Sequence, residues 1–336
     1  MVGAFAFVGL LSLAPAAQAA CGGQDLIAAM GADERAALEA AAAETPNGEG
    51  RLWRVEAPDG AVGHLFGTYH DTGAVATLTA AVEDAFAASK ALIVELTEAE
   101  FAAMEARLAA DPAFSFTAGP DGLGARLANS LSAEEREVAE AALAERGLTL
   151  GIATGLKPWL LFSLLGTPAC QIEEMAGGAP VLDRVLIERA EARGLSVSGL
   201  EDYETALAAF GRIGEAEALA LARDMLSLAP LEEDLRRTLL GLYAEGRTGM
   251  IAAFSEHLAE TAGAGDGDRE AGAVAASEAF TEAILEDRNR SWMPRLETAL
   301  AEPGAFVAVG ALHLPGEEGL IALLRAAGHT VTAVPE

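Results

Sequence analysis

The hydrophobic pattern of the first third of the chain predicts a helix, a hairpin and a second helix. Apolar positions recur at helical spacing through 25–43. The segment 52–56 alternates apolar and polar residues, as a half-buried strand does. After a turn at 58–60, the segment 62–66 is predicted to return beside it. Another helix is predicted over 76–88, so these patterns indicate an amino-terminal β-hairpin between helices.

Apolar runs later in the chain predict strands that are buried on both faces. The runs 91–96 and 305–309 have this character, which is typical of parallel sheets. Another strand is predicted at 195–200, after a glycine. The run 305–309 is followed by a loop, a helix over 317–327 and a strand over 329–334, and this order of elements is typical of a βαβ unit.

The remaining segments are long and mostly helical. Segments 98–193 and 202–301 are too long to lie between neighbouring strands. We therefore expect an α/β fold with a mainly parallel sheet, an amino-terminal hairpin and a large helical insertion or cap. The composition agrees, because the 51% of hydrophobic residues are mostly Ala and Leu, which are strong helix formers. We expect residues 21–336 to form a single domain.

Residues 1–20 differ from the rest of the chain. They contain an apolar, uncharged run and end in a small-x-small motif before Cys21. This pattern predicts a secretory signal peptide and export to the periplasm. An uncleaved anchor is the alternative, although the run is short for a spanning helix. No other stretch of the sequence is long and apolar enough, so we expect no membrane span after cleavage.

The chain has two cysteines, Cys21 and Cys170. An even number of cysteines in an exported protein favours a disulfide, which would join the mature amino terminus to the middle of the chain. Lipidation of Cys21 is an alternative, although the residues before it lack the leucine expected at a lipidation site. A pair of free thiols is the third possibility.

The net charge of the chain limits the kinds of binding partner that we expect. The chain has 51 acidic and 22 basic residues and a formal net charge of −29. Such a surface repels nucleic acid and anionic membranes, although the charge can also serve solubility alone. We expect no nucleic-acid partner, and a peptide or small molecule as the substrate.

Two histidines share the same local context. In each case an apolar strand is followed by Gly-x-x-His, from Gly67 to His70 and from Gly310 to His313. A glycine after a strand permits a sharp turn, and α/β proteins bind ligands at the carboxyl ends of their parallel strands. If the two strands are neighbours, the two imidazoles can converge.

Glu95 is the natural third member of this group. It ends another apolar strand, where a carboxylate rarely serves packing. Two imidazoles and a carboxylate can hold a divalent metal with positions open to water, and the metal then yields hydroxide near neutral pH. We predict such a site at His70, His313 and Glu95, with Mn, Co or Zn. The alternative for each histidine is a hydrogen-bonded structural residue.

Two further groups could serve the same site. Arg288 and Asn289 close an acidic helix, and the arginine could bind an oxyanion or a carboxylate. Its alternative role is favourable charge at the carboxyl end of that helix. Glu201 follows the strand at 195–200, where it is either a second site carboxylate or a helix amino-terminal charge beside Asp202.

Other chemistries find little support in the sequence. His64 lies inside a predicted strand, and His257 and His329 have the character of surface or packing residues. The sequence contains no Walker loop, no dinucleotide fingerprint after a strand, no Gly-x-Ser-x-Gly, no His-Glu-x-x-His and no Cys-x-x-Cys.

Taken in order, these motifs form a recognisable set. Its members are Phe66-Gly67-Thr68-Tyr69-His70, Val94-Glu95, Leu200-Glu201, Arg288-Asn289 and Gly310-Ala311-Leu312-His313-Leu314-Pro315-Gly316. The set resembles the TraB/GumN family, which is related to the Tiki proteins, over roughly 45–336. Each motif alone is weak, and the set is quite specific. The resemblance implies a fold similar to that of the erythromycin-esterase and ChaN haem-iron proteins.

The resemblance also implies roles for the site residues. Tiki-like proteins are regarded as metal-dependent proteases, so His70 and His313 would be metal ligands or catalytic histidines. Glu95 would be a ligand or the general base, and Arg288 a substrate or transition-state contact. The residues that would surround the cofactor are Gly67, Gly310, Glu201 and Asn289.

Three functional hypotheses follow. The first is an exported metal-dependent hydrolase, a peptidase, acting at the carboxyl edge of the sheet. The second is a non-catalytic envelope protein that binds haem-iron or a small ligand in the same pocket. The third is a structural or regulatory envelope protein. The helical middle of the chain has no recognisable motif that would indicate a substrate.

Overall fold

The computed structural model describes residues 21–117, 122–261 and 267–336. The predicted signal peptide, residues 1–20, lies outside the described residues. In the part of the chain that is described, no helix has the length and apolar character needed to cross a membrane.

The core is a six-stranded mixed sheet with the strand order β4-β3-β5-β2-β1-β6. β1 is antiparallel to both β2 and β6, whereas the pairs β2–β5, β5–β3 and β3–β4 are parallel. The predicted mixture of a parallel core and an amino-terminal hairpin is therefore observed. The strands are β1 (Leu52–Glu56), β2 (Val62–Thr68), β3 (Ala91–Val94), β4 (Ser196–Gly199), β5 (Ala305–Gly310) and β6 (Thr330–Ala333).

Helices make up most of the remaining described chain. The α-helices are α1 (Leu26–Ala29), α2 (Ala32–Glu44), α3 (Ala80–Ala87), α4 (Glu98–Ala110), α5 (Pro112–Ser115), α6 (Leu123–Ser130), α7 (Ala133–Glu145), α8 (Leu150–Ala153), α9 (Pro158–Leu165), α10 (Ala169–Ala176), α11 (Leu182–Ala192), α12 (Tyr203–Ala209), α13 (Glu215–Leu228), α14 (Glu232–Ala244), α15 (Thr248–Thr261), α16 (Gly267–Phe280), α17 (Asp287–Leu300) and α18 (Leu320–Ala326). Shorter 3₁₀ segments cover Gly73–Thr77, Phe210–Arg212, Ala229–Leu231 and Ala311–His313. A π-helix, Thr281–Glu286, joins α16 to α17.

The last strand lies apart from the strand that precedes it in the chain. β5, α18 and β6 follow one another as predicted, but β5 and β6 are not neighbours, because β2 and β1 lie between them. β6 instead pairs with β1, where Val331 lies opposite Val55. The hairpin therefore separates the two strands, and the pattern along the chain could not show this because it carries no information on strand order.

The sheet is covered by helices on both faces. Phe306 and Ala308 of β5 pack on one face with residues of α2, α3, α11, α14 and α15. Val307 and Val309 point to the other face and pack with residues of α17 and α18. All six residues of β5 are buried, which explains the unbroken apolar run from which this strand was predicted.

A second core lies outside the sheet. It is built from residues of α4, α6, α7, α8, α9, α12, α13 and the π-helix, and it includes Phe162 and Phe210, whose ring centroids are 6.2 Å apart. Both long helical stretches of the sequence contribute to it. We refer to these helices as the cap, and its residues line a cavity together with Thr68, Val94 and Gly310 at the ends of β2, β3 and β5.

The two cysteines are joined as predicted. Cys21 and Cys170 form a disulfide that spans 149 positions of sequence. Beyond Cys21, the backbone N–H of Gly22 donates to Glu233 and that of Leu26 to Thr238, both on α14. The segment 21–26, here called the amino-terminal strap, thus connects α10 with α14. In a chain-entropy treatment a cross-link of this span stabilises the fold by about 2–5 kcal/mol.

Candidate functional site

The carboxyl ends of β2, β5 and β3 bring the predicted site residues together. β2 and β5 are neighbouring parallel strands, with Thr68 opposite Gly310. His70 and His313 follow these strands, and their Nε2 atoms each lie 3.8 Å from the same atom, Oε1 of Glu95. Both imidazoles therefore lie near the same carboxylate oxygen.

His70 is oriented by an aspartate that the sequence reasoning did not identify. Its Nδ1 lies 2.8 Å from Oδ2 of Asp183, whose Oδ1 accepts a hydrogen bond of 2.6 Å from Thr68. The carboxylate can only accept, so Nδ1 carries a proton and Nε2 faces Glu95. Burial alone would lower the pKa of His70, but the charge and hydrogen bond of Asp183, together with Glu95, raise it to about 9.

His313 is oriented by an amide instead. The Nδ2 group of Asn289 donates to the carbonyls of His313 and Glu318, so its Oδ1 must be the acceptor that lies 2.7 Å from Nδ1 of His313. Nδ1 therefore carries the proton, and Nε2 presents a lone pair. Burial outweighs the charge of Glu95 and lowers the pKa of His313 to about 3, so this ring is neutral at physiological pH.

Glu95 carries the negative charge at the centre of the group. Its Oε1 accepts from the backbone N–H of Gly310 at 2.7 Å, and its Oε2 from Nη2 of Arg288 at 2.7 Å. Burial acts to raise the pKa of Glu95, but Arg288, the neighbouring imidazoles and the Gly310 N–H outweigh burial and hold the pKa well below its usual range. The carboxylate is therefore ionised.

Arg288 uses all five of its N–H donors inside this group. Its Nε and Nη2 donate to Oε1 of Glu201 at 2.9 and 2.5 Å, and Nη2 also donates to Glu95. Its Nη1 donates to the Ile284 carbonyl at 3.1 Å and lies 3.3 Å from Nε2 of His313. The guanidinium thus bridges two carboxylates and covers the lone pair of the buried histidine.

The structure corrects two alternative roles. Arg288 is not at the carboxyl end of a helix, because α16, the π-helix and α17 run on continuously past it. Glu201 is not an N-cap charge, because Asp202 caps α12 and Glu201 instead faces Arg288. Glu201 is buried, and burial raises its pKa despite the nearby guanidinium.

The two glycines of the motifs have different roles, and neither is the predicted sharp turn. Gly67 lies inside β2, and Gly310 has an ordinary φ of −52°. A Cβ on Gly310 would lie 3.3 Å from both Glu95 Oε1 and His70 Nε2, so this glycine keeps open the space on which the donors converge. A Cβ on Gly67 would lie 2.9 Å from Cα of Ala311, so that glycine serves close packing.

The other histidines lie elsewhere in the fold. His64 is a half-buried residue of β2 whose ring is near Phe306. His257 pairs with Glu34 at 3.2 Å, and His329 is buried beyond α18. Among the described residues that line the cavity at the site, none of these three appears.

A cavity of about 260 Å³ joins the polar group to the cap. His70, Glu95, Arg288 and His313 form its polar end. Its remaining wall is mostly aliphatic and comes largely from the cap and the helices beside it. Members of this wall are Leu165, Phe210, Met225, Leu228, Leu235 and Ile284.

The donor types at the polar end fit a divalent metal. Two imidazole Nε2 atoms and a carboxylate oxygen surround the space kept open by Gly310, and the far nitrogen of each ring is held by an acceptor. Within the described ranges, however, no group of three or more His, Cys, Asp or Glu side chains is placed to hold a metal. Before these atoms can bind one, Arg288 must leave Nε2 of His313, and His70 must lose the proton that its raised pKa keeps on the ring.

Sequence reasoning missed Asp183 because its position is uninformative. It lies in the first turn of α11, where acidic residues are common for the sake of the helix dipole. It also missed Asp71 and Arg236, which form a buried ion pair beside His70. No local pattern distinguishes these residues from ordinary surface charges.

Comparison with known proteins identifies one family. The family model described as the TraB/PrgY/gumN family matches residues 51–333. The chain matches no curated protein and no solved structure.

Proposed function

This chain belongs to the TraB/PrgY/gumN family, and from that premise we propose that it is an exported, metal-dependent hydrolase that cleaves peptide bonds. One observation carries the proposal. The Nε2 atoms of His70 and His313 face the same oxygen of Glu95, while a separate acceptor holds the far nitrogen of each ring. This arrangement is typical of histidines that bind a metal through Nε2.

His70, His313 and Glu95 would hold the metal. When bound, a divalent metal lowers the pKa of a coordinated water and supplies hydroxide near neutral pH. Asp183 and Asn289 keep the Nδ1 protons on the far side of each ring, which directs Nε2 to the centre. The lowered pKa of Glu95 makes it a weak base, so a ligand role suits it better than general-base catalysis.

Arg288 is suited to stabilise negative charge on the substrate. Glu201 accepts from both Nε and Nη2 of Arg288, so the guanidinium stays beside the site if its contacts with Glu95 and His313 are released. The donors freed in this way could bind the oxygen of the carbonyl that is attacked. Glu201 therefore has a positioning role in the proposal.

Export to the periplasm belongs to the same proposal. It is supported by the predicted signal peptide and by the disulfide between Cys21 and Cys170, because disulfides persist in oxidising compartments. The likeness of the fold to erythromycin-esterase and ChaN haem-iron proteins is likewise proposed, and the six-stranded sheet with helices on both faces is compatible with it.

A second candidate function is non-catalytic binding of a small ligand or haem-iron. It is favoured by the aliphatic wall of the cavity and by the guanidinium that covers His313. The volume of about 260 Å³ is below the roughly 300–1,000 Å³ of pockets for drug-sized ligands, which favours a small ligand over haem. A haem titration distinguishes haem binding from binding of another small ligand, because haem bound at the site gives an absorption band that His70→Ala should remove.

Thermal unfolding with manganese, cobalt or zinc tests the main proposal. A metal at about a hundred times its Kd stabilises the folded state by about 2.7 kcal/mol, so the melting temperature should rise by several degrees. The rise should vanish in His70→Ala/His313→Ala. It should persist in His64→Ala/His257→Ala, which removes two histidines away from the site.

A hydrolysis assay completes the test. Metal-loaded protein is incubated with a library of quenched fluorescent peptides, and the double variant at positions 70 and 313 is the control for contaminating proteases. Cleavage that depends on both metal and histidines supports a peptidase. The absence of any metal-dependent rise in the wild type would contradict the proposal.

A further inference from the structure

The loop that carries His70 is held by helices that contribute no atom to the polar group itself. The backbone carbonyl of His70 accepts a hydrogen bond of 2.9 Å from Nε2 of Gln171 on α10. Gln171 is buried, and its neighbour Cys170 forms the disulfide with the amino-terminal strap. The position of His70 along the edge of the sheet therefore depends on α10.

The next residue of the loop is held more firmly. Asp71 is buried and accepts two parallel hydrogen bonds from Arg236 on α14, from Nε to Oδ2 and from Nη2 to Oδ1, both 2.7 Å long. Oδ1 also accepts the backbone N–H of Gly73 at 2.7 Å. This bidentate geometry fixes both the place and the orientation of Asp71, and with it the backbone that leads from His70.

Arg236 also connects the loop to α10. Its Nη2 lies 3.0 Å from Oγ1 of Thr72 and 2.9 Å from Oε2 of Glu174, and Thr72 in turn donates to Glu174. A single guanidinium thus contacts two successive loop residues and a side chain of α10. The amino-terminal strap holds α10 and α14 together on the outside of this network.

Stability alone does not explain the ion pair. The desolvation of a buried Arg–Asp pair largely offsets its attraction, so such pairs contribute little net stability compared with apolar residues of similar size. They do impose a defined geometry, since each N–H must meet its acceptor. Asp71 follows His70 directly in sequence, and Arg236 lines the same cavity as His70, which indicates what that geometry serves.

We propose that Arg236 is a positioning residue for His70: it anchors Asp71 so that Nδ1 of the ring stays on Asp183 and Nε2 stays directed at Glu95. The proposal rests on the proposed function in that it takes His70 as a site residue. His313 has no part in this network, because Asn289 on α17 orients it. The loss of Arg236 should therefore disturb one histidine and leave the other in place.

The Nδ1 proton of His70 reports directly on this geometry. ¹⁵N-edited NMR of uniformly labelled full-length protein detects an imidazole N–H that is hydrogen bonded to a carboxylate, and His70→Asn identifies its signal by removing it. In Arg236→Gln the exchange of this proton with water should accelerate by about tenfold or more, because the loop opens more often. Arg236→Lys should restore part of the protection, because it keeps the charge but not the paired geometry.

Arg146→Gln is the matched control. Like Arg236, Arg146 has a buried side chain that pairs with a carboxylate, which here is that of Glu232. Unlike Arg236, it contacts no residue of the His70 loop. Its removal should lower the melting temperature and leave the His70 proton protected. Should Arg236→Gln fail to fold, Arg236→Lys carries the same test with a smaller expected acceleration.

The proposal is overturned if Arg236→Gln leaves the exchange rate unchanged, or if Arg146→Gln raises it equally, because both results would make Arg236 an ordinary structural residue. Protection of the His313 Nδ1 proton should not change in either variant. The measurement needs neither metal nor substrate, so a failed metal titration would refute the proposed function without deciding this result.

Discussion

The two Gly-x-x-His loops have the same spacing in sequence and opposite surroundings in the fold. His70 pairs with a carboxylate, is 29% exposed and has a pKa raised to about 9. His313 pairs with an amide, is 4% exposed and has a pKa lowered to about 3. The motif therefore determines where each ring lies, and the balance of burial and nearby charge determines whether the ring is charged. Asp183 and Glu95 outweigh burial at His70, whereas burial prevails at His313.

The loops also differ in what supports them. The His70 loop is held from outside the sheet by Gln171 and Arg236. His313 is held by Asn289 of α17 and packs against the ring of Trp292 at 4.5 Å. One histidine thus depends on helices that the strap and disulfide hold together, and the other on a helix packed directly against the sheet.

Replacing Asp183, the partner of His70, should have the largest effect on the site. In Asp183→Asn, Thr68 still donates to the remaining oxygen, so the new NH₂ group faces Nδ1 of His70 and forces the proton onto Nε2. The loss of the carboxylate should lower the pKa of His70 by roughly 1–3 units. Metal affinity or hydrolysis should fall about 10- to 100-fold, as for other residues that orient a ligand.

A pH titration of the ring signals by NMR checks this expectation. His313 is the control within the same spectrum, since Asp183 is not its partner. If the pKa of His70 stays near its wild-type value in Asp183→Asn, the partner does not set the charge and the comparison between the loops fails.

The stability of the protein should depend on pH in opposite directions through the two rings. The folded pKa of His70, about 9, lies above the unfolded value of about 6.5. Its stabilisation is therefore fully present below pH 6.5 and is lost as the pH rises to about 9. With allowance for partial solvent exposure, the change is about 2 kcal/mol.

Denaturant unfolding of the wild type and of His70→Gln between pH 6.5 and about 9 measures the contribution of His70. The other titrating groups cancel when the free energies of unfolding of the two proteins are subtracted. His313→Gln is the contrast. The folded pKa of His313, about 3, lies below the unfolded value, so its effect should appear only as the pH falls from about 6.5 towards 3. Matching pH profiles for the two variants would contradict the assigned charges.

The smallest effects are expected from alanine substitutions of the two motif glycines, which should act on different properties of the protein. In Gly310→Ala the new methyl group would enter the space between Glu95 and His70, and we expect metal affinity or hydrolysis to fall about tenfold with little loss of stability. In Gly67→Ala the methyl group would meet the backbone of Ala311, and we expect a loss of about 1–3 kcal/mol of folding stability instead. Equal effects of the two substitutions on stability and function would show that the glycines have one shared role.

Much of the fold followed from the sequence because its strands are distinctive. The unbroken apolar run of β5 reflects burial on both faces, and the alternation in β1 reflects the buried Val55 between the half-buried Arg54 and Glu56. The order of the strands did not follow, since β6 lies beside β1 and not beside β5. Local patterns describe how a strand is buried and carry no record of which strand is its neighbour.

In the candidate site, too, the sequence predicted some features correctly and others not. His70, Glu95, Glu201, Arg288 and His313 were predicted because each lies at the end of a strand or within a motif. Gly310 was predicted on the wrong ground, since its role is to leave space and not to turn the chain.

By itself, the sequence determined the strands, the pairing of the two cysteines as the favoured arrangement and the residues that meet at the edge of the sheet. Only the tertiary structure decided which histidine is charged and what holds each loop. The contacts responsible join residues far apart in the chain, since His70 and Asp183 are 113 positions apart and Asp71 and Arg236 are 165 positions apart. A pKa depends on the charges and burial that surround a group in space, and neither is present until the chain has folded.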